Sequence, residues 1–98
     1  MKQAKILIVK AKTELSEEEF LRIAKNREPE FKAIPGLLQK YYIKTNNPGE
    51  YGGVYIWDSM ESLKKFKESA LAASIGKSYN TLEPPTTEIA DILFPLRT

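Results

Sequence analysis

Residues 34–59 read IPGLLQKYYIKTNNPGEYGGVYIWDS. Two runs rich in aromatic and β-branched residues, 37–45 and 51–57, flank the sequence Asn46-Asn47-Pro48-Gly49. Proline presets φ for a turn, and asparagine and glycine tolerate positive φ. The segment therefore predicts two antiparallel strands joined by a short loop.

A strand and a helix are predicted before this hairpin. Residues 5–12 include a run that is apolar on both faces, which is typical of a central strand. Ser16 and Glu19 form a capping box that predicts the start of the first helix. Pro29 interrupts the apolar face of that helix, so we expect a kink or a break within residues 25–29.

A helix and a strand are also predicted after the hairpin. Asp58-Ser59 is expected to cap the second helix, and Gly76 to end it. Residues 77–87 form a polar loop, and residues 88–96 a fourth strand that Pro95 confines to an edge.

The side-chain alternation predicts which residues share a face of each hairpin strand. In the first strand it groups Leu37 with Tyr41 and Ile43, and it places on the other face Leu38, Lys40, Tyr42 and Lys44. The lysines indicate an edge strand, where charge prevents unwanted pairing. In the next strand Val54 and Ile56 share one face and Tyr55 and Trp57 the other. Gly52-Gly53 marks a bulge or a close approach to the backbone.

The element order predicts the fold class. One α+β domain spans residues 1–98, built as a ferredoxin-like βαββαβ plait with a four-stranded antiparallel sheet and both helices on one face. The first and third strands become central. The other face of the sheet would expose apolar side chains, so we expect a homodimer that packs the two sheets face to face.

The composition excludes several kinds of chemistry. The chain has no histidine and no cysteine, so a Ser-His-Asp triad, a Cys-His pair, an ordinary zinc site and a His-ligated haem are all ruled out. A net charge of +2 is too small to suggest nucleic acid or an anionic membrane as a partner. No apolar run is long enough to span a bilayer, and no signal peptide is apparent, so a cytoplasmic location is expected.

The order of these motifs resembles the dimeric α+β barrel superfamily. The residues that carry the resemblance are Pro35-Gly36, the Asn/Pro/Gly loop, the sequence GGVYIWDS from residue 52 and Glu83-Pro84. Within the superfamily the chain is most similar to the YdhR-like monooxygenases, and more distantly to the antibiotic-biosynthesis monooxygenases. The resemblance covers nearly the whole chain, although its motifs are short and mostly structural.

The resemblance implies a homodimer with one pocket per subunit, between the helices and the sheet. Several members of the superfamily oxygenate polycyclic phenols there without metal, flavin or haem, and many others have no demonstrated activity. In the active relatives a tryptophan near the end of the third strand and an asparagine or tyrosine near the second line the pocket. Trp57 matches the first position, and Tyr42 and Asn46 match the second loosely.

Seven residues are candidates for ligand binding, and each has a structural alternative. Trp57 and Tyr55 can stack on a flat ligand or pack in the core, and Tyr42 can bind a substrate oxygen or simply point to solvent. Phe31 and Phe66 face inward, where core packing is the favoured interpretation. The remaining two candidates, Asn46 and Tyr79, lie in loops, and Tyr79 is a candidate lid over the mouth of the pocket. Arg22 and Arg27 are expected on the solvated side of the first helix, with an anion-binding role as the less favoured interpretation.

A nucleic-acid-binding alternative is weaker, although the RNA-recognition motif shares this plait. Residues 51–57 partly imitate its third strand, but Glu50 stands where a basic residue is required. The first strand supplies no aromatic side chain to stack on a base.

Two hypotheses of function remain. The first is a cofactor-independent monooxygenase that acts on a small aromatic or phenolic substrate, with no metal and no catalytic residue identified. Without histidine, only a tyrosine, a lysine or a carboxylate with a shifted pKa is available as a general base. The second is a non-catalytic or stress-response module of the same barrel that binds a small hydrophobic ligand.

Overall fold

The computed structural model describes residues 4–97. Its elements are, in order, β1 (Lys5–Lys12), α1 (Glu17–Asn26), α2 (Glu28–Lys32), β2 (Leu37–Lys44), β3 (Glu50–Trp57), α3 (Met60–Lys67), α4 (Ala70–Ala73), α5 (Ile75–Ser78) and β4 (Thr86–Asp91). The four strands form one antiparallel sheet in the order β2-β3-β1-β4. The structure confirms the ferredoxin-like α+β fold and the central positions of β1 and β3.

The start and the end of α1 follow the predicted signals. The Ser16 hydroxyl accepts a hydrogen bond from the Glu19 backbone amide at 3.1 Å, and the Glu19 carboxylate accepts one from the Ser16 amide at 2.9 Å. The helical chain then breaks at Arg27, and Pro29 lies in the first turn of α2. A proline fits this first turn because the amide that it lacks would have no partner there.

The alternation along β3 determines which face of the sheet meets the helices. Tyr51, Gly53, Tyr55 and Trp57 are buried in turn, and the residues between them are partly exposed. Tyr55 and Trp57 share one apolar cluster with residues of β1, α2 and α3. These alternate positions of β3 therefore form the helix face of the sheet. Tyr55 and Trp57 lie on the same face, as predicted.

A bulge in β2 changes one predicted face. The register with β3 shifts between Leu37 and Gln39, so Leu37 pairs with Trp57 and packs against the main core. The prediction that Leu37 shares a face with Tyr41 and Ile43 is therefore wrong. The extra residue of the bulge leaves Leu38 exposed, and beyond it the alternation holds as predicted.

The second predicted helix is three short helices, and Gly76 does not end it. Ser69 caps α4 by accepting a hydrogen bond from the Ala72 amide at 3.1 Å, which interrupts the apolar periodicity with a local start signal. Gly76 lies inside α5. The last strand begins at Thr86, two residues earlier than predicted, and ends at Asp91.

Two glycines stand where a Cβ would overlap a neighbouring residue. Gly36 has φ +84, and a Cβ there would overlap the Ser62 side chain. A Cβ at Gly52 would overlap the carbonyl oxygen of Val9 on the neighbouring strand. The unbroken register of β1 with β3 shows that close approach, not a bulge, explains the pair Gly52-Gly53.

None of the helices in the described part of the chain covers the opposite face of the sheet. The register and the alternation place there Ile6, Ile8, Tyr41, Ile43, Val54 and Ile56. After β4 the chain continues with an exposed apolar segment, in which Leu93 is 88% exposed, Phe94 76% and Leu96 84%. Within residues 4–97, no helix is long and apolar enough to cross a membrane.

Candidate functional site: a lysine inside an aromatic cavity

A small cavity, here called the inner cavity, lies between the helix face of the sheet and the helices α1, α2 and α5. Much of its wall is aromatic, formed by Phe20, Phe31, Tyr42, Tyr51, Tyr55 and Tyr79. Its volume is about 40 Å³. Because one water molecule needs about 10–15 Å³ on the same measure, the inner cavity holds only a few waters.

The pattern of β3 explains why this space is not filled. Tyr51 and Tyr55 both point to the helix face, and Gly53 stands between them with no side chain. Gly53 also pairs with Val9 on one side and with Tyr42 on the other. The cavity is therefore the gap that Gly53 leaves among larger neighbours.

Lys40 enters this gap from the edge strand β2. Its amine nitrogen lies 3.6 Å from the ring centroid of Phe31, 4.3 Å from that of Tyr42 and 4.5 Å from that of Tyr55. We call these three rings the aromatic cage. A Cβ at Gly53 would lie 3.0 Å from Lys40 Cε, so the absence of a side chain at Gly53 leaves room for the lysine side chain.

Burial and then the positive charge of Arg27 lower the pKa of Lys40 from its ordinary 10.5 to about 7. Since one pKa unit corresponds to about 1.4 kcal/mol, the ammonium form is destabilised by about 5 kcal/mol. The faces of the cage rings favour the ammonium form by about 1–2 kcal/mol, which is less than the opposing effect. The ion pairs of residues 4–97 do not include Lys40. Burial and the charge of Arg27 therefore outweigh the cage, and the pKa of Lys40 stays below its ordinary value.

The hydroxyls of Tyr42, Tyr55 and Tyr79 keep their protons at neutral pH. Burial raises the pKa of Tyr79 to about 12 and also raises the pKa values of Tyr55 and Tyr42. A second contribution at Tyr42 is the negative charge of Glu28. These side chains are therefore hydrogen-bond donors and not bases under physiological conditions.

Arg27 is not on the solvated side of the helix, so that prediction is wrong. Its side chain is 12% exposed, and its Nη2 donates a hydrogen bond to the Ser74 hydroxyl at 2.5 Å. The break between α1 and α2 turns Arg27 toward the interior, where its guanidinium lies 5.6 Å from the Phe31 ring centroid. Its Nη1 is buried without a hydrogen-bond partner among the described residues. Arg22 is exposed, as predicted.

The structure brings together four of the seven predicted site residues. Phe31, Tyr42, Tyr55 and Tyr79 line the inner cavity. Tyr79 is held there by Thr13, whose hydroxyl donates a hydrogen bond to the Tyr79 carbonyl at 2.7 Å. Tyr79 is 7% exposed, and its ring is tilted against that of Phe20 with 5.0 Å between the centroids, so it is part of the wall rather than an exposed lid.

The other three predicted residues lie outside the inner cavity. Trp57 is 0% exposed, with its ring 5.3 Å from that of Phe66, and both belong to the main core cluster. Asn46 is exposed in the loop between β2 and β3. The buried Nε1 of Trp57 has no hydrogen-bond partner among the described residues.

Sequence reasoning missed Lys40 as a site residue. It interpreted the lysines of β2 as edge protection, and for Lys44 this is correct, since its side chain is exposed and bonds Glu17 at 2.7 Å. The available signal was the combination of Lys40 on the face of Tyr42 with a glycine on the neighbouring strand. That combination leaves room for a long side chain to fold inward.

A wider opening, here called the outer groove, lies on the other side of Lys40. Its volume is about 420 Å³, and its wall includes Glu28, Lys32, Leu37 and Gln39. Three residues line both spaces: Phe31, Lys40 and Tyr42. The lysine and two rings of its cage therefore separate the inner cavity from the outer groove. Within residues 4–97, no cluster of three or more acidic side chains could hold a metal ion.

Comparison with known proteins identifies the fold. No family model and no curated protein matches the chain. A candidate antibiotic biosynthesis monooxygenase from Bordetella bronchiseptica matches with a TM-score of 0.77 and 17% identity, over 95% of this chain and 100% of that one. A variant of SnoaB, a cofactor-independent oxygenase from Streptomyces nogalater, matches with a TM-score of 0.75 and 8% identity, over 98% and 99% of the two chains.

A third solved structure carries no functional description. It is a protein of unknown function from Nitrosomonas europaea, with a TM-score of 0.76 and 16% identity over 95% of this chain and 92% of that one. At these identities the neighbours establish a shared ferredoxin-like fold. They do not transfer a substrate or a reaction.

Proposed function

We propose that this chain is a cofactor-independent monooxygenase that acts on a small aromatic or phenolic substrate in the inner cavity. The observation that carries the proposal is the inner cavity itself, an aromatic space that contains one amine and several neutral hydroxyls. One structural neighbour is named as a candidate antibiotic biosynthesis monooxygenase and another as a cofactor-independent oxygenase, and both names support an oxygenase reaction.

In the proposed reaction the substrate supplies the electrons that reduce dioxygen, and the protein supplies only the environment in which the substrate reacts. An anthrone-type substrate reacts with dioxygen so that a CH₂ carbon becomes a carbonyl, and the second oxygen atom leaves as water with both hydrogens. The aromatic walls would orient the rings and exclude bulk water. The hydroxyls of Tyr42 and Tyr79 would donate to an oxygen on which negative charge develops.

The size of the inner cavity requires a movement before such a substrate binds. A volume of about 40 Å³ is well below the roughly 300 Å³ at which small-molecule sites begin. Displacing the Lys40 side chain from its cage would join the inner cavity to the outer groove. The combined space then has room for two or three fused rings.

The same observation favours a second candidate function, a non-catalytic module that binds a small hydrophobic ligand. In this case the aromatic walls provide the binding affinity, and no catalytic residue is needed. The two functions differ in oxygen consumption and not in ligand class.

Oxygen uptake with a panel of dihydroxynaphthalenes and anthrones distinguishes the two candidates. The wild-type protein is expected to consume oxygen, and Tyr42→Phe to be slower by about tenfold, because a hydrogen bond to a charged oxygen is worth about 1.5–3 kcal/mol. Trp57→Phe, a change in the core outside the cavity, is expected to keep the wild-type rate. Tight ligand binding without oxygen uptake by the wild type would instead support the binding module.

We also propose that the chain is a homodimer through the uncovered face of the sheet. The apolar side chains of β1, β2 and β3 on this face and the exposed segment that includes Leu93 and Phe94 support a second copy as the cover. Sedimentation equilibrium at micromolar concentration should give twice the monomer mass. Ile8→Lys should shift the mass to that of the monomer, whereas a wild-type monomer would contradict the proposal.

A further inference from the structure

We propose that Lys40 is the general base of the inner cavity, and that the substrate is therefore an aromatic compound with an ionisable phenol or an enolisable carbonyl. This inference rests on the proposed oxygenase function, because it identifies the proton acceptor that the reaction needs. It also narrows the substrate class, since an aromatic hydrocarbon without an acidic proton would not be activated.

The composition of the cavity wall leaves one candidate for this role. Among the described residues that line it the wall has no carboxylate, and the raised pKa values of Tyr42, Tyr55 and Tyr79 keep these hydroxyls protonated at neutral pH. Its threonine hydroxyls are too weakly basic to take a proton. Among the wall residues, only the amine of Lys40 offers a basic lone pair at the place where a ring would bind.

The surroundings of Lys40 lower the pKa of its amine. On the inner side it meets Phe31, Tyr42 and Tyr55, with Tyr79 across the cavity. Arg27, at the junction of α1 and α2, adds a positive charge nearby that disfavours a second one. The outer groove also contains Glu28 and Lys32, which pair with each other at 3.6 Å. Among residues 4–97, no carboxylate therefore pairs with Lys40 to hold its proton.

The position of Lys40 between the two spaces also suits a base that must meet an incoming ligand. A substrate entering along the outer groove reaches Lys40 before it reaches the inner cavity. The proposed step moves one proton from the substrate O–H, or from the carbon beside its carbonyl, to Nζ. The products are a phenolate or enolate and the Lys40 ammonium, so charge is conserved and the two ions remain paired.

The first test measures the base without any turnover. The ¹³Cε chemical shift of Lys40, assigned by its absence in Lys40→Met, is followed against pH. A midpoint near pH 7 is expected for Lys40, and a midpoint above the usual lysine value for Lys44 on the same strand. If Lys40 titrates together with Lys44, the amine is protonated at neutral pH and the inference is overturned.

The second test observes the proton transfer directly under anaerobic conditions. The absorbance of bound 2-naphthol distinguishes the phenol from the phenolate. At neutral pH the wild type should hold a larger phenolate fraction than Lys40→Met, while the matched control Lys44→Met should equal the wild type. Equal phenolate fractions in the wild type and Lys40→Met, or no 2-naphthol binding by the wild type, would overturn the inference.

The third test separates the failure of this inference from the failure of the proposed function. Lys40→Arg keeps the positive charge but cannot act as a base, so its rate of anthrone oxidation should fall by about 100-fold or more, as in Lys40→Met. A Lys40→Arg rate close to wild type overturns the inference while the oxygenase stands. Absence of wild-type turnover, with both earlier tests positive, overturns the oxygenase and leaves Lys40 as a proton acceptor.

Discussion

Between about pH 7 and pH 9, the wild-type protein should gain about 2 kcal/mol of unfolding free energy relative to Lys40→Met. The pKa of Lys40 is lowered in the folded state to about 7 from 10.5. Between these values the unfolded chain binds a proton that the folded chain releases, so stability rises with pH at up to about 1.4 kcal/mol per pH unit. Well below pH 7 both states are protonated, and the stability difference no longer changes.

Urea denaturation of both proteins at several pH values measures this effect. Lys44→Met is the matched control, because its pairing with Glu17 raises the pKa of Lys44 and leaves it protonated throughout this range. Its stability difference from the wild type should therefore be flat from pH 7 to 9. A flat difference for Lys40→Met as well would show that the buried amine is not perturbed. Above about pH 10 the raised pKa values of Tyr55 and Tyr79 act in the opposite direction, and stability should fall.

Replacing the core tryptophan should cause a large loss of stability. Trp57→Ala is expected to lower the free energy of unfolding by about 3–5 kcal/mol, because Trp57 is 0% exposed and packs against Tyr55 and Phe66. For a domain of this size such a loss is a large part of the total stability. Urea denaturation monitored by far-ultraviolet circular dichroism provides the measurement.

Trp57→Phe is the control that separates packing from ligand binding. It keeps an aromatic ring and removes an indole N–H that has no partner among the described residues, so it should cost at most about 2 kcal/mol. A loss below 1 kcal/mol for Trp57→Ala would contradict the core assignment. Trp57→Phe with near-wild-type stability and no ligand binding would instead indicate that the N–H binds the ligand.

The fold followed from the sequence because its signals are local and agree with one another. The capping box at Ser16, the proline at position 29 and the turn residues before Gly49 each specify a backbone state by short-range chemistry. The two-sided apolar character of β1 and β3 then identifies the central strands. Each of these features requires only neighbouring residues to be recognised.

The errors occurred where a tertiary contact or a single extra residue decides the outcome. The bulge after Leu37 reverses the face of that residue, and no local signal announces it. Ser69 and Ser74 divide the second helical region, although its apolar spacing continues through them. Arg27 turns inward because the chain bends beside it, which the periodicity of a straight helix does not show.

The site was only partly predictable for the same reason. Tyr42 and Tyr55 could be selected from the sequence because each is an aromatic residue in a strand whose side chains alternate between two faces. The register places both on the helix face of neighbouring strands. The role of Lys40 depends on the empty position at Gly53 across the strand pair and on the break that brings Arg27 near. Such a combination appears only when β2, β3 and the helices are assembled.

A crystal structure of the protein with 2-naphthol tests the central claim most directly. We expect the naphthol ring in the inner cavity against Phe31 and Tyr55, with its oxygen within hydrogen-bond distance of Lys40 Nζ and the outer groove joined to the cavity. A ligand bound elsewhere, with Lys40 still inside its aromatic cage and the inner cavity unchanged, would contradict it.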